Sequence, residues 1–161
     1  MRPFEQGWAA PGFDLDDPRR YREVGHFPYK DVRPLLDHLA GQRGSETDGA
    51  LLRMRNVETG GTVGPTVDIC SQLLRPGEKT SEHRHTWATI LLCFEGAGRL
   101  WLDGEPQDFG KNDVMVIPGW AWHRWENPDS APCVVHSISD LAMLERLGFA
   151  REQVRDGSGN V

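Results

Sequence analysis

The sequence predicts an all-β fold, a barrel or sandwich of short strands with a short helix at each end. Three observations predict it. Apolar or alternating segments recur from Leu51 to Ser139 at intervals of about eight to twelve residues. Turn chemistry separates them, as Arg75-Pro76-Gly77, Glu95-Gly96-Ala97-Gly98, Asp103-Gly104, Gly110 to Asn112 and Asn127-Pro128-Asp129. Glycine and proline are plentiful, at 18 and 11 of 161 residues, which many short strands joined by tight turns require.

The elements follow in order. Residues 1–27 carry no periodic pattern, only Phe4, Trp8 and Phe13 as anchors among Pro, Gly and Asp. They read as an arm laid on the barrel or on a second subunit, and a homodimer through this arm is expected. From Tyr29 to Leu39, Val32, Leu35, Leu36 and Leu39 sit at helical spacing, with His38 on the polar side. Gly41 to Gly49 is a polar loop. Strands are expected at 50–57, 66–75, 80–85, 88–95, 99–103, 106–109, 113–118, 121–126 and 133–139. Asp140 to Gly148 reads as a helix, with Asp140 placed as N-cap and Gly148 just past the end. The organisation is one domain over residues 28–152, with a flexible tail at 153–161.

Composition narrows the function. A net charge of −6 argues against nucleic acid and anionic membrane surfaces as partners. No apolar run reaches the roughly 20 residues of a membrane span, and Met1 to Gly12 lacks the apolar stretch of a secretory signal. Cys70, Cys93 and Cys133 are odd in number, far apart and set in apolar runs. They read as buried thiols, and a cytoplasmic location is expected.

The chain is organised around Glu82-His83-Arg84-His85 and, forty residues on, Trp122-His123. On a strand, His83 and His85 project to one side and Arg84 to the other. Two imidazoles so placed can chelate one metal ion, although such a pair alone is as readily a solvated face. The flanking residues decide between the two. Gly77, His83, His85 and Gly96 fall at the spacing G(X)5HXH(X)3-4E(X)6G, and Pro118, His123 and Asn127 at G(X)5PXG(X)2H(X)3N. These are the two signatures of the cupin superfamily, which the sequence resembles at all three histidines. The resemblance implies a double-stranded β-helix, or jelly-roll barrel. Three positions depart: Thr89 stands at the glutamate, and Asn112 and Trp120 stand at glycines.

The resemblance sharpens over Leu73 to Thr80, His83 to Thr86, Glu95 to Gly98 and Trp120 to His123, which look like the gentisate 1,2-dioxygenase family. Members of that family are bicupins, and this chain is similar to their C-terminal half. The resemblance implies iron(II) held by His83, His85 and His123, with Gln72 beside the substrate. Nickel, zinc or manganese can occupy such a site in purified material. An unperturbed imidazole titrates near pH 6.5, so metal affinity is expected to weaken below about that value.

Three neutral imidazoles leave half of an octahedron open, room for a bidentate small-molecule substrate and for dioxygen. Alternation places Trp87, Thr89 and Leu91 on the metal side of one segment, and Ala121 and Trp125 with His123 on another. Asp68, Cys70, Gln72 and Leu74 share a third face. The pocket is therefore expected to be aromatic and apolar, with Gln72 and Thr89 as its polar contacts and no general base. Leu91 stands where the family's active N-terminal cupins carry a substrate-binding arginine, and Trp125 where they carry a second histidine. The expected activity is oxygenation of a small hydroxylated aromatic. The alternative is a metal- or ligand-binding cupin without oxygenase turnover, such as an accessory subunit, isomerase or lyase.

Overall fold

A computed structural model describes residues 25–56 and 60–155. The helix α1 (Tyr29–Ala40) is followed by β1 (Ala50–Arg53), β2 (Asp68–Leu74), β3 (His83–His85), β4 (Thr89–Glu95), β5 (Ala97–Leu102), β6 (Glu105–Gly110), β7 (Val114–Ile117), β8 (His123–Glu126) and β9 (Cys133–Ser139). The second helix, α2 (Leu141–Leu147), and a last strand, β10 (Glu152–Val154), complete the described chain. The strands form two antiparallel five-stranded sheets, in the orders β1-β2-β9-β4-β7 and β10-β3-β8-β5-β6. This interleaving of early and late strands is the jelly-roll barrel expected from the sequence.

Alternation along the strands fills the barrel. Leu74, Leu91, Cys93, Leu100, Phe109, Met115, Ile117, Trp125, Cys133 and Val135 form the core between the sheets. A second cluster lies outside the first sheet, where Val32 and Leu36 of α1 pack on Ala50, Met54, Leu73 and Val134. The helix covers only part of that sheet. Beyond it, Ile90, Val114, Val116 and Ile138 are each more than half exposed. Cross-strand register places Ile90 beside both Val116 and Ile138, so these residues form one bare apolar face on β4, β7 and β9.

The turns explain two of the motif departures. Asn112 has φ 74° and Trp120 φ 68°, the left-handed conformation that the signature glycines would adopt. Asn tolerates that region well. For Trp120 the backbone is held by its N–H donating to the His85 carbonyl at 2.6 Å, and its ring is held by the Arg84 guanidinium 4.4 Å above it.

Several expected boundaries move. The strand expected at 50–57 ends at Arg53, the one at 80–85 is reduced to its last three residues, and the one at 99–103 begins at Ala97. Asp140 does not cap α2 through its side chain. Its Oδ1 accepts the Ala88 N–H instead, joining the helix start to β4. The tail expected from residue 153 is also corrected. Gln153 and Val154 belong to β10, which pairs with β3 and lays Glu152 beside His85 and Val154 beside His83. Most of the expected N-terminal arm, and residues 156–161, lie outside the described residues.

Candidate metal centre

Three imidazoles meet at one end of the barrel because the sheet brings their strands together. His83 and His85 lie two apart on β3 and so face the same way, and β8 pairs with β3 to put His123 directly beside His83. All three are buried, and each offers a ring nitrogen within 4.8 Å of the others'. The ring centroids are 4.1 Å apart for His83 and His123 and 4.7 Å for His85 and His123.

The hydrogen bonds around the rings fix what they can do. His85 Nδ1 lies 2.8 Å from the Trp87 carbonyl, and His123 Nδ1 lies 3.0 Å from the Ala121 carbonyl. A carbonyl only accepts, so each Nδ1 carries the proton and each Nε2 presents a lone pair. His83 Nδ1 is buried and has no hydrogen-bond partner, while its Nε2 lies 3.9 Å from Asp48 Oδ1. Burial, aided by the neighbouring His123, pushes His83 and His85 down to about 3, and burial lowers His123 as well. The site is therefore neutral at physiological pH, with the unprotonated Nε2 atoms of His85 and His123 beside the neutral ring of His83. That donor set fits a divalent metal. It also corrects the expectation that protons compete from about pH 6.5, since the folded site resists protonation to a far lower pH.

The cavity beside the histidines has a volume of about 100 Å³. Gln72, Trp87, Thr89, Leu91 and Trp125 all line it, as alternation places them. Trp87 stacks on His85, with centroids 4.0 Å apart and planes 5° from parallel. Trp125 is 2% exposed and packs edge-on against Phe109, so it serves core and cavity together. Gln72 has a partner of its own: its Nε2 donates to the Asp48 carbonyl at 2.7 Å, holding the loop before β1 against the cavity. His136, unmatched by either motif, sits elsewhere. Its Nδ1 lies 2.7 Å from Ser71 Oγ, and its ring is edge-on to Tyr29 and Phe94.

The expected apolar character of the pocket needs correction. Asp48, Asp68 and Glu152 also line it, with Ser137 and Ser139. Asp68 stood on the expected face with Gln72, so its place was legible although its charge went uncounted. Asp48 and Glu152 come from a polar loop and from a three-residue strand, where no periodicity exists to be read. The three cysteines are free, as expected, with Cys93 and Cys133 buried.

Comparison with known proteins follows the same line. Residues 71–139 match the family described as the cupin domain. Over 155 residues the chain is 34% identical to a 5-aminosalicylate 1,2-dioxygenase of a Comamonas species, covering 95% of this chain and 39% of that protein. The salicylate 1,2-dioxygenase of Pseudoaminobacter salicylatoxidans, solved with gentisate, superposes with a TM-score of 0.74 at 25% identity, covering 94% of this chain and 43% of that one. The chain thus spans about two-fifths of the length of these relatives. A 1-methylthio-D-xylulose 5-phosphate methylsulfurylase of Rhodospirillum rubrum is 27% identical over 89% of this chain and 79% of its own length.

The barrel and the match over residues 71–139 give the chain a cupin domain, and the three converging histidines form a candidate divalent-metal site in it. The chain is similar to gentisate-type 1,2-dioxygenases.

Proposed function

We propose that the protein is a non-haem iron(II) dioxygenase that cleaves the ring of a small hydroxylated aromatic, with His83, His85 and His123 as the metal ligands. The observation that carries this reading is the set of three neutral imidazoles without a carboxylate ligand, opening on a cavity walled by Trp87 and Trp125. The dioxygenases to which the chain is similar support it. When bound, the ion supplies Lewis acidity toward a chelating phenol and redox chemistry toward dioxygen.

The protein's own groups supply the rest. The Trp87 and Ala121 carbonyls hold two of the imidazoles in the ligating tautomer. Trp87 offers a face on which an aromatic ring can stack. Leu91, Ile117 and Trp125 keep the inner end of the cavity dry. Thr89 and Gln72 Oε1 supply neutral polar contacts. In place of the arginine and second histidine expected for a gentisate carboxylate, Leu91 offers no donor and Trp125 only an uncharged indole N–H. A charge-assisted hydrogen bond is worth roughly 1.5–3 kcal/mol, so gentisate turnover is weak and a less charged or bulkier aromatic is preferred. The Leu91→Arg, Trp125→His pair raises gentisate affinity on this reading. We further propose a homodimer, with the arm of residues 1–27 contributing, and the bare apolar face on β4, β7 and β9 supports an assembly.

Anaerobic reconstitution with iron(II), then oxygen-uptake assays over hydroxybenzoates, aminosalicylates, catechols and hydroxynaphthoates, tests the activity. Uptake with at least one class is expected. Tight metal binding with no uptake across all of them would favour a second reading, a metal-dependent reaction other than oxygenation. The methylsulfurylase supports that alternative, because the match spans most of its length. The carboxylates in the cavity weigh against a phosphorylated substrate.

A further inference from the structure

The outer face of the second sheet carries a run of tryptophan and arginine side chains directly behind the metal ligands. On a strand, the residue between two ligands points the opposite way, so Arg84, between His83 and His85, stands outside the barrel. Its guanidinium carbon lies 4.4 Å from the centre of the Trp120 ring and 4.5 Å from that of Trp122. Trp122 immediately precedes His123, and Arg155 lies over it as well, at 4.2 Å. The nitrogens of Arg84 are also engaged: Nε and Nη2 donate to Gln153 Oε1 at 2.8 and 2.6 Å. Gln153 sits opposite Arg84 where β10 pairs with β3. One guanidinium thus touches the loop before β8, the residue beside the third ligand, and β10.

The backbone holds β3 weakly. The strand is three residues long and pairs with β8 at one position, His83 beside His123. Past that pair, its His85 end is joined to the loop before β8 by the Trp120 N–H, which donates to the His85 carbonyl. Its other neighbour, β10, is itself three residues long and lies at the edge of the sheet. The other ligand-bearing strand is better fixed, since β8 pairs with β5 at four positions, Glu126 to His123 against Arg99 to Leu102. Nor is the His83 ring anchored from within, because its Nδ1 has no hydrogen-bond partner. A rotation of β3 about its own axis would swing both imidazoles out of line with His123. The side chain on the opposite face of the strand is the lever that resists such a rotation.

We propose that Arg84 is a positioning residue for the metal centre: its guanidinium, gripping Trp120 and Trp122 from outside the barrel, holds β3 at the angle at which His83 and His85 meet His123. The inference rests on the three-histidine site and not on the reaction carried out there. A guanidinium suits this task because it is planar, stacks on indole and still donates through its fork to Gln153. Because Trp122 is bonded to His123, the same contact ties the first two ligands to the third.

Cobalt(II) added to metal-free protein is the probe, because its visible absorption reports ligand geometry, while competition with a chromophoric chelator gives its affinity. Arg84→Met keeps the length of the side chain and loses its charge. It should weaken cobalt(II) binding by about tenfold, the worth of two cation–π contacts, and alter the absorption bands. Arg84→Lys keeps a cation over the rings and should restore most of both. Arg124→Met is the matched control. Arg124 also adjoins a ligand, His123, and lies 4.3 Å over the Trp101 ring, but its strand is fixed by the four pairs with β5. That variant should bind cobalt(II) as the wild type does, with the same bands, even where its melting temperature falls. Trp122→Leu leaves Arg84 in place and removes one of its rings, so it decides the matter if Arg84→Met does not fold; a loss of about threefold is expected. Wild-type affinity and bands in Arg84→Met or, failing that variant, in Trp122→Leu overturn the proposal. So does equal weakening in Arg84→Met and Arg124→Met, which would mean general loosening of the sheet. A wild type that binds no cobalt(II) would instead overturn the metal centre, and the role of Arg84 with it.

Discussion

Two imidazoles of the centre are held by backbone carbonyls, His85 by Trp87 and His123 by Ala121, while His83 Nδ1 has no such partner. Replacing His83 or His123 with Ala removes one of three ligands, and elemental analysis should show metal content falling from about one ion per chain to a small fraction of that. Equal content in wild type and His85→Ala would refute the site. The depressed pKa values also set a pH dependence for the metal-free protein. The unfolded chain binds protons on these residues as pH falls through about 6.5, whereas folded His83 and His85 resist protonation down to about 3. The unfolded state therefore holds more protons in that window, and stability falls with falling pH across it, levelling off below. Denaturant titrations of metal-free protein at pH 7.5, 5.5 and 4.5 should show a steady decline, and the double variant His83→Ala, His85→Ala should show a shallower one. Arg53 makes the opposite kind of contribution. It neutralises the buried Asp68, so Arg53→Ala should cost roughly 3–5 kcal/mol by stranding that charge, and a melt of Arg53→Ala beside Asp68→Asn would separate the stranded charge from lost packing.

At the scale of elements, β10 closes the site although it has only three residues. It pairs with β3 behind two of the metal ligands, and its partners continue the join: Arg155 N–H donates to the Glu82 carbonyl, and Thr86 N–H to the Arg151 carbonyl. Ending the chain after Ala150 should leave the two-sheet core folded by circular dichroism but weaken metal retention during dialysis by several-fold. Retention equal to that of the full chain would show that β3 needs no neighbour. This strand also marks where the sequence could and could not be read. The histidines were legible because their geometry follows from local alternation and fixed spacing. So were Thr89 and Leu91, two residues apart on β4, and Trp125, two residues beyond His123 on β8. Glu152 was not legible, because its place depends on a pairing across 67 residues, from Glu152 to His85, that no local pattern encodes. Asp48 comes from a loop fixed by the Gln72 amide, a tertiary contact equally invisible in the chain.

At the scale of the whole molecule, the first sheet is covered on one half by α1 and left apolar on the other. Exposures of 55% at Ile90, 65% at Val114, 53% at Val116 and 51% at Ile138, all on adjacent strands, are more contiguous than the scattered apolar residues of an ordinary monomer surface. Sedimentation should therefore report a species of twice the 18.1 kDa chain mass. The substitutions Val114→Lys and Val116→Lys together should shift it to the monomer, without loss of metal, since both side chains point away from the barrel interior. A wild type sedimenting as a monomer at tens of micromolar would refute the assembly.

The stack of Trp87 on His85 gives the molecule a built-in optical gauge. Of the tryptophans in the described chain, Trp101, Trp120 and Trp122 each lie against an arginine, and Trp125 is buried edge-on against Phe109 where it also lines the cavity. Trp87 alone lies flat against a residue of the metal centre. A paramagnetic ion held by that imidazole would sit within quenching range of the indole, whereas zinc would leave its emission bright. Titrating metal-free protein with iron(II), then with zinc, should dim the fluorescence only in the first case, and Trp87→Phe should abolish most of the difference. Occupancy could then be followed by light alone, continuously and in dilute solution, before any substrate is known.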